Sequence, residues 1–208
     1  GFTLLVANEL FDAIPIRQFV KTPQGFMERL VGLDDSGALA FGLGPGAFDT
    51  SLLPVDEANV RDGEVFEISP ARAAIMQAVL TIDYGHLTSG FGDTLQAVFQ
   101  HEYDPPLQRP GEADLTSHVD FQALAETAKA AGAHVHRPIT QGDFLVGLGI
   151  VERAGALGTG RDSLTQATIS DAVNRLAGEG EGRMGALFKV LAISGKPVRI
   201  APFDPQTA

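Results

Sequence analysis

Two carboxylates three residues apart follow an apolar segment at the start of the chain. Residues 2–7 have the composition of a buried strand, and Asn8, Glu9 and Asp12 come directly after it. In open α/β sheets, ligands bind beyond the carboxyl ends of the strands, where loops carry polar groups on a rigid scaffold. Asn and Asp after a strand also begin turns and cap helices. A binding or catalytic site and a simple turn explain this pattern equally well.

A second apolar segment is also followed by an acid. Residues 78–82 form a short, continuous apolar run, which predicts a strand buried on both faces of a parallel sheet. Asp83 comes next, followed by Tyr84, Gly85 and His86. We interpret Asp83 as lying at the end of this strand, with an ordinary Asp in a glycine turn as the alternative.

The rest of the chain alternates strands with helices, which predicts a single α/β domain over residues 1–208. Two apolar runs flank a turn at residues 34–37, which predicts a β-hairpin within an excursion over residues 19–54. Residues 85–120 form a loop-rich insertion with two proline-containing turns, and we expect a lid or a partner surface there. The predicted helices cover residues 71–77, 120–131, 140–148 and 163–177, and the last predicted strand lies within residues 184–193.

Composition and charge exclude several function classes. The formal net charge of −11 disfavours nucleic acid as a substrate, and no basic run with interleaved aromatic residues offers an exception. No apolar segment has the length of a membrane span. The absence of cysteine excludes disulfides and thiolate metal sites, and the cytoplasm is the default compartment.

Two groups of cationic residues are assigned structural roles. His134 and His136 alternate on a predicted strand, and without an acidic partner nearby in sequence we expect surface histidines and no metal site. Lys189 lies in the last predicted strand. We expect it to extend its ammonium group to water at the edge of the sheet, with a functional role as the alternative.

Five sequence blocks resemble the signature of the MidA family. The first is Ala-Asn-Glu-Leu-Phe-Asp-Ala-Ile-Pro-Ile-Arg-Gln-Phe at residues 7–19. The third and most specific is Pro-Gly-Glu-Ala-Asp-Leu-Thr followed by Val-Asp-Phe, within residues 110–121. The others lie at residues 82–86, 140–150 and 184–193.

This resemblance implies a class I S-adenosyl-L-methionine-dependent methyltransferase with a Rossmann-like sheet, of which this chain supplies the later strands. Mitochondrial members are complex I assembly factors, and members are implied to methylate arginine in a protein partner. The resemblance implies that Glu9 is the main catalytic carboxylate with Asp12 as its helper, and that Asn8 and Glu9 lie near the transferred methyl group. The implied acceptor pocket is lined by Asp83, Tyr84, Gly85, His86 and Gln141. Packing is the alternative for Tyr84, and a place beside the cap of the following helix is the alternative for Gln141.

The glycine-rich cofactor loop of the family is expected upstream of residue 2, so we expect this chain to be part of a longer domain. The glycines at residues 42–46 precede no good helix start and are interpreted as an irregular connection. A further gap is expected near Gln77, where a helix meets a strand without a turn.

Two other functions stay open at this stage. A non-enzymatic assembly or interaction module is consistent with the missing glycine loop and the long insertion. A methyltransferase acting on a small amine or amide is the second alternative. The sequence leaves open the physiological substrate, the number of methyl groups and the oligomeric state, including a homodimer. By resemblance, eukaryotic relatives belong in the mitochondrial matrix.

Overall fold

The computed structural model describes residues 6–75 and 80–203. The expected gap at Gln77 and the first residues of both apolar segments lie outside the described residues. The strands are β1 (Val6–Asn8), β2 (Arg17–Thr22), β3 (Gly25–Leu33), β4 (Leu39–Gly44), β5 (Val65–Ile68), β6 (Leu80–His86), β7 (Gln96–Phe99), β8 (Glu102–Asp104), β9 (Asp114–Thr116), β10 (Val119–Asp120), β11 (His134–Val135), β12 (Ile139–Thr140) and β13 (Phe188–Ser194). The α-helices are α1 (Pro70–Ile75), α2 (Phe121–Ala130), α3 (Gln141–Gly147), α4 (Ile150–Gly158), α5 (Ser163–Ala177) and α6 (Met184–Leu187).

The described residues form two compact units, where the sequence predicts one domain. The first unit contains residues 6–10, 80–88 and 119–203, and the second contains residues 11–75 and 89–118. The predicted hairpin excursion and most of the predicted insertion therefore belong to the same unit. Among the described residues, no helix is both long and apolar enough to cross a membrane.

The first unit is built on a mixed sheet with the order β1-β6-β13-β11. Strands β1 and β10 pair with β6 in parallel, whereas β13 pairs with β6 in the antiparallel direction. Strand β6 continues to His86. The prediction that this strand ends before Asp83 is therefore wrong, because backbone pairing with β13 and β10 extends it through the glycine that indicated a turn.

The core of the first unit lies along β13, whose residues 188–193 are all buried. Helix α2 covers this sheet with the buried side chains of Phe121, Leu124 and Ala128. Asp120 caps α2 by accepting a hydrogen bond from the Ala123 N–H at 2.9 Å, as predicted. The apolar spacing of three and four residues in α2 therefore positions the helix on the sheet.

The second unit contains two antiparallel sheets. One has the order β4-β3-β2-β5, and the other has the order β8-β7-β9. The predicted hairpin is confirmed, since β3 and β4 pair around the turn after Leu33. Within the predicted loop-rich insertion, β7, β8 and β9 form a small sheet that was not predicted. Those strands are only three or four residues long, too short for a clear sequence period.

Aromatic side chains fill the core of the second unit. The ring of Phe48 lies 4.7 Å from that of Phe19 and 5.8 Å from that of Phe66, which in turn contacts Phe91 at 5.4 Å. The glycines at residues 42–44 lie in β4, and no α-helix follows them until Pro70. As predicted, these glycines do not open a helix, so they do not form the phosphate-binding loop of a nucleotide site. The prediction of an irregular connection is wrong for residues 42–44, which belong to a strand.

A glycine allows the close approach of β6 and β10. A Cβ atom at Gly85 would collide with the carbonyl oxygen of Val119 and lie 2.7 Å from its nitrogen. Val119 is the register partner of Gly85 in the parallel pair. Only a residue without a side chain fits here, so Gly85 determines where β10 and the start of α2 lie.

We expect Gly85→Ala to lower the free energy of unfolding by roughly 1–3 kcal/mol, because the backbone of β10 must move away from β6. Urea-induced unfolding measures this difference. The matched control is Gly155→Ala in the interior of α4, where a new Cβ meets nothing within 4 Å. In that control the free energy of unfolding should rise by about 0.5–1 kcal/mol, because alanine is favoured over glycine inside a helix. Equal stability of the wild-type chain and Gly85→Ala would contradict the close approach.

Candidate functional site

The carboxyl end of β1 presents two polar side chains to solvent. Asn8 is the last residue of β1, pairs with Ile82 of β6 and is exposed. Glu9 is also exposed, and its N–H donates a hydrogen bond to the Ile82 carbonyl oxygen at 3.0 Å. The structure therefore brings Asn8 and Glu9 together at the edge of a parallel pair, where the sequence predicts a site.

The backbone of Glu9 is held in the left-handed region, with φ of 48°. This conformation is uncommon for a residue with a side chain and costs roughly 1–3 kcal/mol, so it persists only where the surroundings enforce it. The hydrogen bond to Ile82 fixes the Glu9 peptide at this point. The strained backbone turns the chain sharply after Asn8 and leaves the carboxylate exposed.

Asp83 lies inside the sheet rather than at its edge. Its side chain is 0% exposed, and it is the register partner of Lys189 on β13. The Tyr84 N–H donates to the Asp83 Oδ1 atom at 2.9 Å. Burial removes this carboxylate from direct contact with a substrate in solution.

Lys189 is buried, so the prediction that its ammonium reaches water is wrong. Its Nζ atom donates to the carbonyl oxygens of Gly85 at 2.7 Å, Ala186 at 2.6 Å and Leu187 at 2.9 Å. Because β13 is an interior strand of the sheet, the ammonium group cannot reach water, and these carbonyl oxygens accept its hydrogen bonds instead. Burial lowers the pKa of Lys189 below its usual 10.5.

Tyr84 and Gly85 have packing roles in β6. The Tyr84 ring packs edge-on against Phe188 with 5.7 Å between ring centres. Gly85 is buried, allows the approach of β10 and provides one of the oxygens that hold Lys189. Both were predicted to line a pocket, and the structure places them in the framework of the sheet.

His86 lies at the carboxyl end of β6 and is partly accessible, with 35% of its side chain exposed. Its Nε2 atom is 3.7 Å from the Oδ2 atom of Asp120, its register partner on β10. Four residues of strand separate His86 from Ile82, which corresponds to about 13 Å. Because the Glu9 backbone bonds to Ile82, Glu9 and His86 are well separated in the direction of β6.

Gln141 joins two helices of the first unit. It is the first residue of α3 and is buried, and its Nε2 atom donates to the Leu176 carbonyl oxygen at 2.8 Å. Leu176 lies in the last turn of α5, where carbonyl oxygens have no partner within the helix. Gln141 thus satisfies a helix end. Thr140, the residue before it, pairs with Lys189 of β13, which is itself the register partner of Asp83 on β6.

Asp12 belongs to the second unit, whereas Glu9 belongs to the first. Asp12 is buried in a turn that is closed by a hydrogen bond of 3.2 Å from the Ile14 N–H to the Phe11 carbonyl oxygen. The Ser117 N–H donates to the Asp12 carbonyl oxygen at 3.1 Å. The segment after β1 is therefore anchored to the end of the insertion.

Arg72 makes the central contact of that anchor. Its guanidinium donates to the carbonyl oxygens of Phe11 at 2.7 Å, Asp12 at 3.3 Å, Ser117 at 3.1 Å and His118 at 2.8 Å. The side chain is only 5% exposed. Arg72 is not among the site residues predicted from the sequence. The signal that could have found it is an arginine within the otherwise small and apolar pattern of α1.

The first 139 residues match a family model described as S-adenosyl-L-methionine-dependent methyltransferase. The chain belongs to this family. The matched range includes each predicted site residue except Gln141. The family predicted from the sequence blocks is therefore confirmed, together with its α/β fold class.

Named relatives of the chain are methyltransferases. It is 30% identical over 210 residues to a Caenorhabditis elegans protein named protein arginine methyltransferase NDUFAF7 homolog, mitochondrial, with 94% of this chain and 48% of the relative covered. It is 34% identical over 168 residues to the human protein arginine methyltransferase NDUFAF7, with 76% of this chain and 37% of the relative covered. The chain spans less than half the length of these two relatives.

Solved structures of family members are also similar. A Burkholderia thailandensis member of the COG1565 superfamily, solved with bound S-adenosyl-homocysteine, is 30% identical, with a TM-score of 0.80 over 93% of this chain and 54% of that chain. A native crystal structure from the same organism gives a TM-score of 0.81, also at 30% identity, over 93% of this chain and 55% of that one.

His136 departs from the predicted surface position. It is buried, its ring is 5.0 Å from that of His134, and it packs 5.6 Å from Phe203. The His136 N–H donates to the Ala192 carbonyl oxygen, which holds this segment beside β13. In residues 6–75 and 80–203, no cluster of three or more His, Cys, Asp or Glu side chains could hold a metal ion.

We expect Arg72→Gln to lower the free energy of unfolding by roughly 2–4 kcal/mol, because buried carbonyl oxygens lose charged donors. Urea-induced unfolding measures the loss. The matched control is Arg61→Gln, since Arg61 is 87% exposed and its ion pair with Glu64 is worth about 0–1 kcal/mol. If Arg72→Gln were as stable as the control, the hydrogen bonds of Arg72 would contribute little to the free energy of unfolding.

The lowered pKa of Lys189 predicts a pH dependence of stability. Between the folded pKa and 10.5, the unfolded chain binds more protons than the folded chain, so stability should rise with pH in this window. Unfolding midpoints in urea at several alkaline pH values should show a smaller rise for Lys189→Met than for the wild type. Lys129→Met, at an exposed position on α2, should keep the wild-type slope.

Proposed function

We propose that this protein acts in the transfer of a methyl group from S-adenosyl-L-methionine to an arginine of a protein partner. The observation that carries the proposal is the exposed Glu9 carboxylate, held by a strained backbone at the carboxyl end of β1. Family membership supports the cofactor, and the names of the curated relatives support arginine as the acceptor.

The residues at the end of β1 fit part of a cofactor site. When bound, S-adenosyl-L-methionine supplies a methyl group on a positively charged sulfur. A carboxylate favours a neighbouring positive charge, and the Asn8 amide has both a donor and an acceptor. Asn8 and Glu9 are the residues of this chain that would contact the cofactor near its reactive end.

The chemistry of arginine explains the need for Glu9. A guanidinium is planar, cationic and essentially never deprotonated alone. A carboxylate can accept two parallel N–H bonds from it, which fixes one nitrogen toward the methyl carbon. The same carboxylate offsets positive charge until the methylated nitrogen loses its proton. Catalysis would then rest on positioning and electrostatics, without a covalent enzyme intermediate.

The other predicted site residues divide by their burial. The burial of Asp83, Gly85 and Gln141 supports structural roles in the sheet and helices rather than contact with the acceptor. His86 is accessible and about 13 Å along β6 from Ile82, a distance suited to a second point of contact with an extended polypeptide. Asp12 stays a prediction from sequence as the helper carboxylate.

The biological setting rests on resemblance alone. A role in assembling respiratory complex I, or its bacterial equivalent, stays a prediction. The two curated relatives named above are mitochondrial proteins, and the predicted cytoplasmic location of this chain is likewise a prediction.

We expect Glu9→Gln to reduce methyl transfer at least about 100-fold, because the amide cannot offset the guanidinium charge. The assay combines methyl-labelled S-adenosyl-L-methionine with a cell extract and identifies labelled arginine by mass spectrometry. Because the chain spans less than half of those relatives, it is run on the chain and on a form extended by any residues encoded upstream.

The matched control is Glu179→Gln, at an exposed position of the first unit away from the strand ends. Both variants should keep the wild-type unfolding temperature. Wild-type activity in Glu9→Gln would remove Glu9 from the site, and label on residues other than arginine would overturn the proposed acceptor.

A further inference from the structure

Strand β4 is an edge of the second unit with an unusual composition. It pairs with β3 on one side, and within the part of the chain that the structure describes no strand pairs with its other side. Natural edge strands are usually protected by charged residues, proline or bulges. Residues 39–44 contain no charged residue and no proline, and their register with β3 is continuous.

The register identifies which backbone groups face outward. The Asp34 N–H donates to the Ala38 carbonyl oxygen at 2.9 Å, and residues of an antiparallel pair alternate between bonded and non-bonded positions. Ala40 and Gly42 therefore bond to β3. Leu39, Phe41 and Leu43 direct their N–H and C=O groups to the outer edge.

The side chains of those outward-facing residues form an apolar patch. Leu39, Phe41 and Leu43 lie on one face, and Val31 and Leu33 lie opposite them on β3. All five are between 36% and 72% exposed. Edge backbone groups and an apolar patch at the same place are the two features needed for strand addition.

The order of residues in β4 is symmetric. Leu39-Ala40-Phe41-Gly42-Leu43 alternates large and small side chains and has the same pattern in both directions. A two-fold interface requires such self-complementarity, because each residue must fit against the residue that a 180° rotation brings opposite it on an identical strand. In antiparallel pairing centred on Phe41, each Leu39 would face the Leu43 of the other copy.

Charge also favours the antiparallel arrangement. The chain carries a net charge of −11, and the turn beside β4 contains Asp34 and Asp35. A parallel, in-register pair would bring the two acidic turns together. Antiparallel pairing places them at opposite ends of the joined strands. The strands themselves are uncharged at the centre, and the nearby Arg29, whose guanidinium lies 5.3 Å from the centre of the Phe41 ring, forms an ion pair with Asp93.

We propose that β4 is a self-association surface, on which a second copy of this chain adds its own β4 in antiparallel pairing about a two-fold axis at Phe41. Two four-stranded sheets then become one sheet, and the two apolar patches become continuous. A patch of a few hundred Å² is smaller than the ~800 Å² per partner of a standard interface. We therefore expect a weak dimer whose population depends on protein concentration. This proposal is independent of the methyl-transfer proposal.

Sedimentation velocity of the 208-residue chain from about 1 to about 200 μM tests the proposal by mass action. Two double variants remove the same apolar side chains. L39K/L43K places like charges opposite each other across the axis, whereas L39K/L43E places an ammonium opposite a carboxylate. We expect dimers for the wild type and for L39K/L43E, and at least a tenfold weaker association for L39K/L43K.

Leu164→Lys is the control for general surface hydrophobicity, because Leu164 is 77% exposed on α5 and should not affect the dimer. Circular dichroism confirms that each variant is folded. A wild-type chain that stays monomeric throughout would overturn the proposal. So would dimers that persist in L39K/L43K, or equal losses in both double variants, since either result excludes two-fold pairing in this register.

Discussion

The contact between Gly85 and its neighbours is the constraint on which the first unit depends. Its missing side chain admits β10 beside β6, and its carbonyl oxygen accepts a hydrogen bond from the buried Lys189. The first contact sets where α2 begins, and the second joins β6 to the end of α6. His86 and Asp120 are neighbours because they form the next register pair after Gly85 and Val119.

Burial separates the acids that follow the apolar segments. Glu9 and Asp83 have the same sequence context, an apolar run followed by a carboxylate. Strand β1 ends at Asn8, so Glu9 turns out to solvent, whereas β6 continues and encloses Asp83 opposite Lys189. A carboxylate in solvent can exchange partners during a reaction. A fully buried one is committed to the contacts that satisfy it.

Several elements were predictable because their signals are local. The hairpin from β3 to β4 needed only a turn between apolar runs, and the cap at Asp120 depends on a hydrogen bond to a residue three positions away. The short strands of the insertion were missed, because they are stabilised by pairing with each other rather than by their own pattern. Arg72 was missed for the same reason, since its acceptors are 45 or more residues away.

The sequence by itself determined the family, the α/β class and the polar end of β1, because these depend on residue types at fixed spacing. Only the tertiary structure decided which of the predicted site residues are accessible. Strand pairing buries Asp83 and Lys189. Gln141 is buried between α3 and α5, where its side chain bonds to a helix end. One backbone hydrogen bond holds Glu9 in its strained, exposed position. Burial and register depend on contacts distant in sequence, and these contacts are absent from any local pattern.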